Sequence, residues 1–161
     1  MAWTRDTTKS IRENIMARLE DRFLAMTAGV DGFSTTWKTV SRKPLTKDQI
    51  ASGDALALFD VAERELKEIG FTLRTLQVAI EFWAVVAPEG SPATALNTLL
   101  LDVQREMSAD LNMSGLTLNV EQQSSEMAVD GPKDDEVAGV AFYSITYRTK
   151  RDDPRKLLGE A

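Results

Sequence analysis

The chain has 161 residues, 43% hydrophobic and 27% charged, with 19 basic against 25 acidic side chains, a formal net charge of −6 and a pI near 4.8. That length fits one domain, and the ordinary apolar content excludes disorder of the whole chain. Cysteine and histidine are both absent, which excludes disulfides, thiolate zinc sites, cysteine nucleophiles and any Ser-His-Asp arrangement, and removes the commonest general base.

In chain order, the first predicted element is a helix. Ser10-Ile11-Arg12-Glu13 reads as a capping box, in which the Ser10 hydroxyl accepts from the Glu13 backbone N–H and the Glu13 carboxylate reaches back. Ile11, Ile15, Leu19, Phe23 and Met26 then recur at helical spacing, with Arg12, Arg18, Glu20, Asp21 and Arg22 mostly off that stripe. Gly29 stands where a helix C′ residue would, and Asp31-Gly32 reads as a turn. Residues 33–42 predict a strand, because Thr35, Trp37 and Thr39 alternate with Thr36, Lys38 and Val40. Residues 43–53 carry Pro44, Asp48 and Gly53 without a sustained apolar period, and predict an exposed loop.

Residues 55–61 predict a second strand, with Leu56 and Leu58 on one face and Ala57 and Phe59 on the other. The polar stretch 62–70 reads as a connection. Residues 71–87 predict a long strand; Leu76, Val78, Ile80 and Phe82 share one parity and Phe71 and Leu73 the other, which predicts a bulge near Arg74-Thr75. Ser91-Pro92 is a helix start, and Leu96, Leu99, Leu100, Val103, Met107 and Leu111 form the apolar face that follows. After Gly115, Leu116, Leu118 and Val120 alternate as a fourth strand. Asp130-Gly131-Pro132 is a turn. Residues 137–149 predict a fifth strand with Ala141, Tyr143, Ile145 and Tyr147 on one face. Residues 1–9 and 152–161 read as flexible tails. The sum is a single α+β domain over residues 1–161, a mostly antiparallel sheet of about five strands with two amphipathic helices packed on one face.

No residue set points to a catalytic, cofactor or metal site. Neither G-x-G-x-x-G nor G-x-x-x-x-G-K occurs. Asp60, Glu63, Glu65 and Lys67 lie close together, but such a run reads first as a solvated face. Glu81 lies in an apolar strand and shares a parity with Ala79 and Trp83, which marks that face as partly wet or as meeting another subunit. Lys47 and Asp48, in the polar 43–53 stretch, are candidates for partner contact on an exposed loop. Asp134, Asp135 and Glu136 lack the alternating spacing of a calcium loop and read, with Asp130, as a charged hairpin. The overall acidity leaves no basic stripe for nucleic acid. The first ten residues are polar, unlike a signal peptide, and the longest apolar stretch, 78–88, is too short to span a membrane.

Three stretches together resemble the tail terminator proteins of long-tailed bacteriophages, also known as minor tail or tail-completion proteins. They are the opening helix of residues 10–26 with its Trp37 strand; the strand Ala55-Leu56-Ala57-Leu58-Phe59 leading to Leu76-Gln77-Val78-Ala79-Ile80-Glu81-Phe82; and residues 91–111 with the Gly115-Leu116 strand start and the closing Tyr143-Ser144-Ile145-Thr146-Tyr147-Arg148. The match covers nearly the whole chain and is one of order and texture. It implies a ring, usually a hexamer, that caps the tail tube, ends its polymerisation and presents a surface to the head connector or neck protein. It implies no catalytic residue, no cofactor and no membrane, with assembly in the host cytoplasm and residence at the head-proximal end of the virion tail. A genome passing through such a ring calls for a wall that does not grip phosphate; about six copies would sum to about −36, and Asp130, Asp134, Asp135 and Glu136 are candidates for part of that lining. Other readings are a head–neck completion or tube-like subunit, and a small metal-dependent nuclease built on Glu81 or Asp60, against which the lack of histidine and of a D…E-x-K arrangement stands.

Overall fold

In the computed structural model, which describes residues 4–128, 135–158 and 160, helix α1 (Ile11–Ala25) starts where Ser10 accepts from the Glu13 N–H at 3.1 Å. The Glu13 carboxylate binds Arg42. Ile11, Ile15, Leu19 and Phe23 are buried. The helix stops at Met26, which is already extended (ψ 132°), and Gly29 (φ 82°) belongs to the following turn, where its N–H donates to the Phe33 carbonyl.

Only Thr39–Ser41 of the predicted first strand is a strand, β1. Residues 33–38 spend their polar groups elsewhere. The Ser34 N–H donates to Asp102, the Thr36 hydroxyl accepts from the Ala28 N–H, and the Trp37 indole donates to the Met26 sulfur at 3.3 Å. The predicted loop 43–53 contains a short helix, α2 (Lys47–Ala51), with a complete capping box between Thr46 and Gln49. Thr-x-x-Gln is the signature that the reading of this stretch as a loop passed over.

Strand β2 (Ala55–Lys67) runs well past Val61, and β3 (Phe71–Val85) returns antiparallel to it. The charged second half of β2 is held by cross-strand ion pairs. Arg74 binds both Glu63 and Glu65, and Tyr147 donates to Glu63. The bulge lies between Asp60 and Ala62 on β2, not at Arg74-Thr75. Even-numbered residues of β3 from Thr72 to Ala84 keep one face throughout, and Phe71 and Leu73 stay on the other. Arg148 stacks over the Phe71 ring at 5.0 Å.

Helix α3 (Pro92–Ala109) is capped by Ser91, which accepts from the Thr94 N–H. It buries Leu96, Leu99, Val103 and Met107, while Leu100 is half-buried and Leu111, beyond its end, is exposed. Residues 110–117 turn tightly through left-handed Met113, Ser114 and Gly115, so strand β4 (Asn119–Ala128) starts later than the Leu116 alternation predicts. Strand β5 (Glu136–Lys150) matches its predicted inward face, Ala141, Tyr143, Ile145 and Tyr147.

Both expected tails are tied down in part. Residues 153–157 form strand β6 (Asp153–Leu157), which pairs with the end of β5. Asn14 is buried and exchanges hydrogen bonds with the Asp6 backbone, 2.7 Å and 2.9 Å, and Arg5 pairs with Glu160 at 2.7 Å. Apolar residues are sparse at both ends, and these polar contacts replace the packing that a hydrophobic pattern would have announced.

The fold is α+β, with three helices and six strands among the described residues. The sheet order is β1-β2-β3-β5-β4, antiparallel except for β1 beside β2, with β6 added to β5. Helices α1 and α3 share one core with the even residues of β3 and the odd residues of β5, so both long helices cover the same face. Arg22 of α1 joins them, donating from Nε to the Glu106 carboxylate at 2.5 Å and from a terminal nitrogen to the Glu106 backbone carbonyl. Gly139 is required by contact: a Cβ there would lie 2.5 Å from the Phe82 ring.

Candidate functional site

The register sets the composition of the face that α1 and α3 leave open. Residues directly opposite on neighbouring strands share a face. Ala55, Trp83 and Ala138 form one row; Ala57, Glu81 and Val140 the next; Phe59, Ala79 and Phe142 a third. The three alanines of β2 and β3 are buried, whereas Phe59, Trp83, Val140 and Phe142 are half-exposed. The middle of β3 is therefore apolar on both faces, which is unlike a sheet with one solvated side.

Glu81 stands in the centre of this patch. Burial raises its carboxyl above the usual glutamate range. Among the described residues its cross-strand neighbours, Ala57 and Val140, bring no charge to it.

The other predicted site residues scatter. Glu136 is on the same face at the far end, opposite Val85, and is buried. Asp135 is exposed just before β5, with its carbonyl accepting from the Val86 N–H at 2.7 Å. Lys47 and Asp48 are exposed in the first turn of α2, a helix that approaches β3. Asp130 and Asp134 lie outside the described residues, so a common acidic lining of the last hairpin is not assembled from the described ones.

Asp60, the nuclease candidate, is bound by Arg12 at 2.5 Å, and Glu63 and Glu65 by Arg74. The oxygen lone pairs a cation would use there already face guanidinium groups. No group of three or more acidic side chains able to hold a metal occurs among the described residues. A groove of about 460 Å³ between α3 and β4 is lined by residues that include Leu101, Met107, Val120 and Tyr143; the Tyr143 hydroxyl is itself buried, which pushes its pKa up to about 12. A phenol in that state donates a proton poorly, and Arg105 at the rim is turned to the Gly32 carbonyl.

Sequence reasoning named Glu81 and Trp83 but passed over Phe59, Val140 and Phe142. The signal was present in the unbroken apolar run of β3, which alternation alone cannot assign to one buried face. It also passed over Ile69, 96% exposed at the tip of the β2–β3 hairpin, where Gly70 takes φ 85°. Among the described residues no helix is long and apolar enough to cross a membrane. No protein-family model matches this chain, and no curated protein matches it.

Proposed function

We propose that this chain is a structural virion subunit of the tail terminator kind, which assembles with copies of itself into a ring on the end of a phage tail tube, ends tube growth and offers a surface to the head connector. The observation that carries the reading is the open sheet face, where Phe59, Trp83, Val140 and Phe142 stand half-exposed around one desolvated acid. Apolar patches of this kind mark contact with another protein surface. The resemblance in element order and texture supports the same reading, and the geometry around Asp60, Glu63 and Glu65 favours ion pairing over chemistry. The net charge of −6 per subunit suits a ring through which DNA slides without being held.

The test is assembly of tail tubes with and without the protein. Tubes of uniform length carrying a ring at one end are expected when it is present, and overlong tubes when it is omitted or when Trp83 and Phe142 are both changed to serine. Decoration along the whole tube, or binding only to the head connector, would overturn the terminator reading. Submicromolar affinity for double-stranded DNA at moderate salt would overturn the sliding argument.

A further inference from the structure

We infer that copies of this chain join edge to edge, the free edge of β4 in one copy pairing antiparallel with the free run of β2, residues 58–67, in the next. The inference deepens the ring reading and rests on it only for closure of the assembly.

The sheet order leaves two long edges. Strand β4 is last in the order, and nine of its ten residues pair with β5 alone, Gln123 being skipped at a register shift. Strand β1 covers β2 only at Ala55, Leu56 and Ala57, so a stretch of β2 as long as β4 has no strand partner on that side among the described residues. All residues of β4 from Glu121 onward are exposed, on both faces, and so are most residues of β2 beyond Asp60. Edges of this length template pairing unless guarded, and lysine and proline are the usual guards. Strand β4 has neither, and the irregularities at Gln123 on β4 and at Val61 on β2 lie outside the bulge-free segments 119–122 and 63–66 that the pairing below brings together.

Charge selects the unlike pairing. The ionisable side chains of β4 are Glu121 and Glu126, so β4 against β4 sets acid against acid. On β2, Glu63 and Glu65 are engaged by Arg74, which leaves the exposed Arg64 and Lys67 as the cations of that edge. Arg64 stands opposite Thr75, and Glu121 opposite Ser144, so both belong to the open face that carries Glu81. A register that keeps the two faces continuous, with Asn119 opposite Leu66, sets Glu121 directly opposite Arg64.

Direction agrees as well. The pairs β2–β3, β3–β5 and β5–β4 are all antiparallel, so β4 runs opposite to β2. A copy rotated about an axis along the strands presents its β2 antiparallel to β4, and the sheet continues across the boundary. A heterologous contact of this kind closes into a ring when the rotation allows.

The chain has no cysteine, so a pair of introduced cysteines reports the contact cleanly. Directly opposed residues in antiparallel strands have Cβ atoms about 4.5–5.5 Å apart, near enough for a disulfide after small adjustment. The full chain carrying Arg64→Cys and Glu121→Cys, oxidised at the concentration used for tube capping, is expected to give a ladder of covalent multimers. An equimolar mixture of the two single variants should stop at dimers, and each single variant alone should stay monomeric. Charge reversal gives an independent reading: Arg64→Glu or Glu121→Arg alone should reduce ring formation by at least tenfold, and the combined swap should restore it. Disulfide-linked dimers from Glu121→Cys alone, or failure of the combined swap with both variants folded, would overturn the pairing. A ladder accompanied by overlong tubes keeps the edge contact and sinks the terminator reading; capped tubes without a ladder do the reverse.

Discussion

On β3, Val78, Ile80 and Phe82 point toward α1 and α3 and are fully buried, while one residue away Glu81 and Trp83 face the other side and remain half-exposed. The strand, its neighbours and the twist are common to both faces. What differs is the cover. The helix-side face holds one continuous core from Ile11 to Tyr147. The open face is nearly as apolar at its centre but carries an acid there that has no ion-pair partner among the described residues, with polar residues such as Arg64, Gln77 and Ser124 around it. A face destined for water would alternate more strictly, and a face destined for the core would not hold Glu81 without a cation. The open face has the composition of a surface that is covered in an assembly and wet in the free subunit.

The largest effects should come from the covered side. Phe82→Ala removes a fully buried ring and is expected to cost about 3–5 kcal/mol in chemical denaturation. The clamp between the long helices should be comparably sensitive: Arg22→Met leaves the Glu106 carboxylate buried and unpaired, at a cost of about 3–5 kcal/mol, and adding Glu106→Leu should recover most of it. If the double variant were no more stable than the single, the clamp would not be an isolated pair and the two helices would be held by something else.

Gly139 tests how tightly the covered face is built. A methyl at that position meets the Phe82 ring, so Gly139→Ala should cost about 1–3 kcal/mol through forced repacking, whereas Gly70→Ala, with open space around it, should show only the cost of its left-handed backbone. Equal costs at the two sites would mean that the Phe82 ring moves aside freely.

The open face should behave in the opposite sense. Phe142→Ser is expected to change the stability of the free subunit by about 1 kcal/mol or less while lowering assembly at least tenfold, about 1.4 kcal/mol of association free energy. A stability loss as large as that of Phe82→Ala, with assembly intact, would erase the distinction between the faces.

The same contrast explains what could be read from the sequence. Elements with one buried side were legible, because their periodicity reports the core directly: α1 by its Ile11 to Phe23 stripe, α3 by its Ser91-Pro92 start, β5 by Ala141 to Tyr147. Elements held by polar contacts were not. The second half of β2 looks like a connection because its order comes from Arg74 reaching Glu63 and Glu65 across strands. Residues 33–38 look like a strand because their bonds to Asp102 and Met26 cannot be seen locally. Strand β6 and the Asn14–Asp6 contact were hidden in the same way. Arg22 was partly legible, since it lies three residues after Leu19, on the buried stripe and not off it. At the candidate site Glu81 was legible as an anomaly, but its aromatic neighbours come from two other strands, and only the register unites them.

The smallest predicted effect is the most specific to the open face. Burial raises the Glu81 carboxyl from the ordinary glutamate value of 4.5, so the neutral form is favoured by the fold relative to the unfolded chain. The sign follows from proton linkage: the folded state binds the proton more tightly, so the contribution is fully present below the unfolded value of 4.5 and is lost as pH rises through the folded value. Glu81→Gln keeps the shape and removes the titration. Its stability advantage over the native chain should be absent below the unfolded value, grow as the native carboxylate ionises and level off near neutrality. It should remain under about 1 kcal/mol, because solvent still reaches the side chain and screens the penalty. Denaturation of the two proteins at several pH values measures this in the free subunit. In the ring, a partner on the open face would remove more water from Glu81 and enlarge the advantage, so that Glu81→Gln rings outlast native rings at pH 7. An equal pH dependence in free and assembled forms would mean that this face stays wet, and that the contacts holding the assembly together lie at the strand edges alone.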